Sequence, residues 1–144
     1  MTDVPNIPNL FSMSDRTAVV VGSGSGLGQV SALGLADSGA HVVCADLNTE
    51  AAETTAQIIA ERGGSAEAFT VDITDSGSVD SLAQSFSDAH ALVITPGANV
   101  RKRLLDTTDE EFDRVIDINL KGTYRLMRAF GDNMRERWRG SIVT

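Results

Sequence analysis

Thr17-Ala18-Val19-Val20-Val21-Gly22-Ser23-Gly24-Ser25-Gly26-Leu27-Gly28 passes from an unbroken apolar run into a turn with glycine at four of seven positions. A short run of small and β-branched apolar residues reads as a strand buried on both faces. The residues after the turn read as a helix from about Leu27 to Ser38, closed by Gly39. Glycines between a strand and a helix let the backbone turn tightly and approach an anion without Cβ clashes. The unpaired N–H groups of the first helical turn then face that anion. The string alone is no more than a flexible turn; strand before and helix after make Gly22, Ser25, Gly26, Leu27 and Gly28 candidates for holding a pyrophosphate.

The same rhythm continues outward. His41 to Ala45 predicts a second buried strand, and Asn48 or Thr49 caps a helix to about Arg62, ended by Gly63-Gly64. Ala66 to Val71 predicts a third strand, and Asp75 opens a helix to about Asp88. Ala91 to Ile94 predicts a fourth strand before Pro96-Gly97. One long helix is expected from about Thr108 to Arg137, because Phe112, Val115, Ile116, Asn119, Leu120, Thr123, Tyr124, Met127 and Phe130 recur at steps of three and four. Ser141-Ile142-Val143-Thr144 begins a fifth strand. Strands alternating with helices imply an α/β fold: a doubly wound parallel sheet of Rossmann type, strand order 3-2-1-4-5, truncated after the fifth strand. Residues 1–15, with Pro5 and Pro8, are expected to form a flexible arm ahead of one incomplete Rossmann-type domain over 16–144.

Asp46 ends the second strand, 24 residues after Gly22, with Leu47 behind it. A carboxylate there can accept from the 2′- and 3′-hydroxyls of an adenosine ribose and repels a 2′-phosphate. No Arg or Lys lies in the glycine turn or just after Asp46, so NAD is expected over NADP. A solvated or helix-capping Asp is the plainer alternative.

Composition narrows the remaining classes. A net charge of −8 argues against nucleic acid as a partner. No apolar run approaches the roughly 20 residues of a membrane span, and residues 1–15 lack a secretory pattern, so a cytoplasmic location is expected. Cys44 lies in an apolar run and reads as a buried small hydrophobe. His41 and His90 are isolated, so no metal site is expected. Thr107-Thr108-Asp109-Glu110-Glu111 reads as a helix N-terminus, not a catalytic carboxylate pair. Arg101-Lys102-Arg103 either attracts an acidic substrate or is a solvated loop.

The spacing of Gly22, Gly26 and Gly28 differs from Gly-x-Gly-x-x-Gly and resembles the short-chain dehydrogenase/reductase family, whose usual form begins with Thr where Val21 stands here. From Arg16 to Thr144 further matches follow in order. Asp72, followed by Ile73, resembles the family's adenine-contacting acid; Asn119 resembles the asparagine of its catalytic tetrad; Gly140 to Thr144 resembles the strand leading to the catalytic serine. The family's Asn-Asn-Ala-Gly appears as Ile94-Thr95-Pro96-Gly97, keeping only Gly97, and the segment between Asp72 and Ile94 is a few residues short. The resemblance implies an NAD-dependent oxidoreductase interconverting a secondary alcohol and a ketone, 3-oxoacyl reductase-like. It implies a small carbonyl or alcohol substrate and a homo-oligomer, with Leu126, Met127, Phe130, Met134 and Trp138 offering part of the contact surface or covering a complementary C-terminal segment. The family's Ser, Tyr and Lys would lie beyond Thr144, so no turnover is expected from the 144 residues alone.

Asn119 keeps two readings, an amide that only bonds backbone and a relay residue that distorts its helix to hold a water. Tyr124 and Arg128 imitate Tyr-x-x-x-Lys, but an Arg is a poor proton relay, and Tyr124 is expected to be a packing residue. Two rivals share the fold class: an S-adenosylmethionine-dependent methyltransferase and a non-catalytic binding or assembly module.

Overall fold

A computed structural model describes residues 10–144. Its strands are β1 (Thr17–Val21), β2 (His41–Asp46), β3 (Ser65–Thr70), β4 (Ala91–Ile94) and β5 (Ser141–Val143). Its helices are α1 (Gly26–Asp37), α2 (Thr49–Glu61), α3 (Ser76–Ser85), α4 (Asp109–Ile116) and α5 (Thr123–Glu136). The strands form one parallel sheet in the order β3-β2-β1-β4-β5, as the alternating pattern predicts. The first nine residues of the expected arm lie outside the described residues. Within its remainder, Met13 packs on the core and its N–H donates to the Ser38 carbonyl (2.7 Å).

Why the strands read as unbroken apolar runs is plain from the layers. Ala18 and Val20 face one side with Val42 and Cys44, against Ala32 and Ala36 of α1 and Ala52 and Ile59 of α2. Val19 and Val21 face the other with Val43 and Ala45, against Val79 and Leu82 of α3 and Leu126, Phe130 and Met134 of α5. Leu82, Leu92, Leu126 and Phe130 are fully buried, each worth about 1.5–3 kcal/mol. Cys44 lies within this packing, and burial pushes its thiol up to about 11, which leaves it inert.

The long helix departs from expectation. A π-helical turn, Asp117–Gly122, interrupts it, and a 3₁₀ turn, Leu104–Asp106, precedes it. The wider turn shifts the phase of the apolar stripe. Leu126, Phe130 and Met134 are therefore interior, which removes them from the expected contact surface, whereas Phe112, Leu120, Tyr124 and Met127 are exposed. Tyr124 is not a packing residue; the Arg128 guanidinium lies 5.7 Å from its ring centroid. Helix starts follow the sequence closely. Asn48 caps α2, Asp75 caps α3, and Thr108 with Glu111 forms a capping box on α4.

At the opposite end of the sheet from the strand C-termini, His90 ties β1, β4 and β5 together. The Thr17 N–H donates to its Nδ1 (3.2 Å), its own N–H donates to the Thr17 carbonyl (2.8 Å), and its carbonyl accepts from Ser141 N–H (3.0 Å). Burial, then the charges of Arg139, Arg137 and Arg16 against Asp88, lower its pKa. A histidine with a lowered folded pKa contributes stability that is present above the unfolded value of about 6.5 and lost as pH falls from there through the lower folded value. Urea unfolding is expected to show a larger loss of stability between pH 7.5 and 5.5 for the unaltered protein than for His90→Gln. Equal losses would show that protonation of His90 is not opposed.

Candidate cofactor site

The strand order reverses direction between β1 and β4, which opens a crevice at the carboxyl ends of the strands. A cavity of about 500 Å3 lies there. Its walls come from the glycine turn, the end of β2, the loop after β3, the loop after β4 and Ile118 of the π turn.

The glycine turn is held from outside, which leaves its inner face open. Gly22 N–H and Ser23 N–H both donate to the Ala45 carbonyl (2.8 and 3.1 Å), the buried Ser23 hydroxyl does the same (3.2 Å), and Thr55 of α2 donates to the Ser23 carbonyl (2.9 Å). Gly22 has φ +84°, a left-handed conformation suited to glycine. Gly28, the third residue of α1, packs directly on Gly22, and a Cβ there would overlap the Gly22 carbonyl. Ser25 stands at the N-cap of α1 without a side-chain capping bond, so its hydroxyl leaves the first N–H groups of the helix unclaimed. Gly26 and Leu27 complete the rim, with Leu27 81% exposed at the mouth.

Across the cavity, Asp46 is oriented by two backbone donors. Oδ2 accepts from Gly24 N–H (2.8 Å) and Oδ1 from Asn48 N–H (2.9 Å). Each oxygen retains a lone pair for a further donor. Leu47 lies exposed beside it. Farther along, Asp72 Oδ1 accepts from both the Thr74 hydroxyl (2.7 Å) and its N–H (2.8 Å). These bonds, helped by the charge of Arg125, hold the Asp72 carboxyl below its usual range. Ile73 is buried behind it. No Lys or Arg lines this cavity among the described residues.

The loop after β4 keeps its anchorage although its residues depart from the family pattern. Thr95 Oγ1 donates to the Val21 carbonyl (2.9 Å), with the Gly22 carbonyl at 3.4 Å, so one hydroxyl ties this loop to the start of the glycine turn. Gly97 follows at the cavity rim. Asn119 does not line the cavity. Its Oδ1 accepts from Ala98 N–H (2.7 Å) and its Nδ2 donates to the Ala98 carbonyl (2.9 Å), so its amide pins the loop from outside.

All ten residues expected to contact a cofactor from the sequence, Gly22, Ser25, Gly26, Leu27, Gly28, Asp46, Leu47, Asp72, Ile73 and Gly97, line this one cavity. Sequence reading did not single out Thr74, Thr95 or Ile118, which line it too. The only signal for Thr95 was its place in a departing motif. The basic run after β4 is largely paired locally: Lys102 with Glu111 and Arg103 with Asp106. His41 bonds Ser65 and Glu67 on β3. No cluster of three metal-binding side chains occurs among the described residues. None of their helices is long and apolar enough to cross a membrane.

Comparison with known proteins places this geometry. A family model described as short chain dehydrogenase matches residues 16–144. The probable oxidoreductase EphD of Mycobacterium tuberculosis is 38% identical over 133 residues, covering 90% of this chain and 22% of that protein. The D-threitol dehydrogenase of Mycolicibacterium smegmatis is 31% identical over 137 residues, covering 92% of this chain and 53% of that protein. Among solved structures, a gluconate 5-dehydrogenase from Burkholderia cenocepacia, in complex with NADP and tartrate, superposes with a TM-score of 0.87 at 28% identity, covering 95% of this chain and 55% of that one. The chain thus spans about half, or less, of the length of these relatives.

Proposed function

This chain belongs to the short-chain dehydrogenase family, and on that premise we propose that it forms the dinucleotide-binding part of an NAD(H)-linked oxidoreductase interconverting a secondary alcohol and a ketone, of 3-oxoacyl reductase-like specificity. The residues fit such a group: a cradle at Gly22 and Gly28 that any Cβ would fill, helix N–H groups without a side-chain cap, and an acid across the cavity. Amides at the start of α1 would hold the diphosphate, Asp46 would accept from the ribose hydroxyls, and Asp72 would face the adenine. The bound nicotinamide would give or take the hydride. Asn119 would support the proton relay through the π turn it stands in, since its amide is already committed to Ala98.

The observation that carries NAD over NADP is Asp46, a carboxylate fixed by Gly24 and Asn48 with no basic residue on the cavity wall. A 2′-phosphate beside it would meet like charge. The Burkholderia gluconate 5-dehydrogenase is in complex with NADP, so the family alone does not choose between the two cofactors. Fluorescence titration is expected to give tighter binding of NADH than of NADPH by about tenfold or more, a difference of ~1.4 kcal/mol. Equal affinities would overturn the NAD assignment. Indifference to both, with stabilisation by S-adenosylmethionine, would overturn the oxidoreductase reading as well.

A further inference from the structure

We propose that Arg125 is a positioning residue for the nucleotide cavity: from behind the π turn it fixes the loop Val71–Thr74 that forms the wall around Asp72. The proposal rests on the dinucleotide reading above.

Arg125 is half-buried, and its guanidinium is forked between two partners. Nη1 donates to the Ile73 carbonyl (3.2 Å) and Nη2 to Asp117 Oδ1 (3.0 Å). Asp117 and Arg125 are eight residues apart, about 12 Å of rise along an ideal α-helix. The π-helical turn Asp117–Gly122, wider than an α turn, lies between them, and their side chains meet across it. The same turn seats Gly122 against the loop. A Cβ at position 122 would lie 2.6 Å from Ile73 Cδ1. Ile73 is thus fixed by its carbonyl on one side and its side chain on the other, between Asp72 and Thr74, which both line the cavity.

An ordinary stabilising ion pair would raise resistance to unfolding and leave the loop where it is. A positioning role predicts more, because without Arg125 the Ile73 carbonyl has lost its fixed donor and the Asp72–Thr74 turn is free to shift. The charge of Arg125 also acts on Asp72 itself.

The test compares the unaltered protein with Arg125→Met and Arg125→Lys, reading binding of AMP and of NADH together with hydrogen exchange of the amides at residues 72–75. Arg125→Met is expected to weaken AMP and NADH by the same factor, about tenfold for the loss of a forked charged donor, and to speed exchange in that loop. Arg125→Lys keeps the charge facing Asp117 but cannot serve both partners, so an intermediate loss is expected. A Met variant that unfolds more easily yet binds AMP as tightly as the unaltered protein would overturn the proposal. Should Arg125→Met fail to fold, undiminished AMP binding by Arg125→Lys would overturn it equally. An unaltered protein that binds neither AMP nor NADH would instead overturn the dinucleotide reading, while faster exchange in the variants would still report the brace.

Discussion

Gly28→Ala is expected to cost the protein its nucleotide site, with NADH affinity falling about a hundredfold or more. The added Cβ would overlap the carbonyl of Gly22, and its next neighbour is Thr95 Oγ1 at 2.7 Å. Backbone cannot rotate away as a side chain can, so either α1 backs off from β1 or the turn moves. Overpacking of this kind costs about 1–3 kcal/mol of stability, occasionally more. Both escapes misplace the amides at the start of α1. Gly34→Ala, on the same helix and away from the cavity, is the matched control. No atom lies within 4 Å of a Cβ there. Ala in place of Gly inside a helix is worth about 0.5–1 kcal/mol in its favour, and the turn keeps its place. Isothermal titration with NADH on both variants is the check. Equal losses in the two would mean that close approach of Gly28 to Gly22 is not what shapes the site.

Asp46→Asn is expected to invert or erase the preference for NADH over NADPH. The change removes a charge and also turns an NH2 toward one of the two backbone donors that now orient the carboxylate, Gly24 N–H and Asn48 N–H. Loosening of the turn would weaken both cofactors alike. The ratio of their affinities therefore isolates the charge. Hydrogen bonds from ribose hydroxyls to a carboxylate contribute about 1.5–3 kcal/mol, so NADH is expected to lose about tenfold to a hundredfold. NADPH is relieved of repulsion and loses less, or gains. Paired titrations in which the ratio stays fixed would assign Asp46 a structural part only.

The sheet was legible in the sequence because its central strands are buried on both faces. Val19 and Val21 serve one core while Ala18 and Val20 serve the other, so the run has no polar interruption. The cavity was legible for a related reason. Its walls are strand ends, where Gly22, Asp46 and Gly97 occupy positions that the order of elements dictates. The region from Asp109 to Glu136 was not. A heptad-like stripe assumes an unbroken period, and the π turn at Asp117–Gly122 breaks it, so Leu126 and Met134 turn inward while Tyr124 and Leu120 stay outside. Asn119, through its resemblance to a helix-distorting asparagine, marks the place of a distortion, but nothing local in Asp117-Ile118-Asn119 gives its π form or its extent. Its supports are long-range, Asn119 to Ala98 and Arg125 to Ile73. Thr95 was obscure for the same reason. Its hydroxyl is meaningful only through the carbonyls of residues 21 and 22, which lie 74 and 73 positions away in the chain.

Titration of NADH into uniformly 15N-labelled protein, followed through the backbone amides, tests most directly whether the first turn of α1 grips a diphosphate. The amides of Ser25 to Gln29 are expected to shift strongly and together with that of Asp46, reaching saturation at one common affinity. Saturable binding that moves other amides and leaves those of Ser25 to Gln29 in place would contradict it.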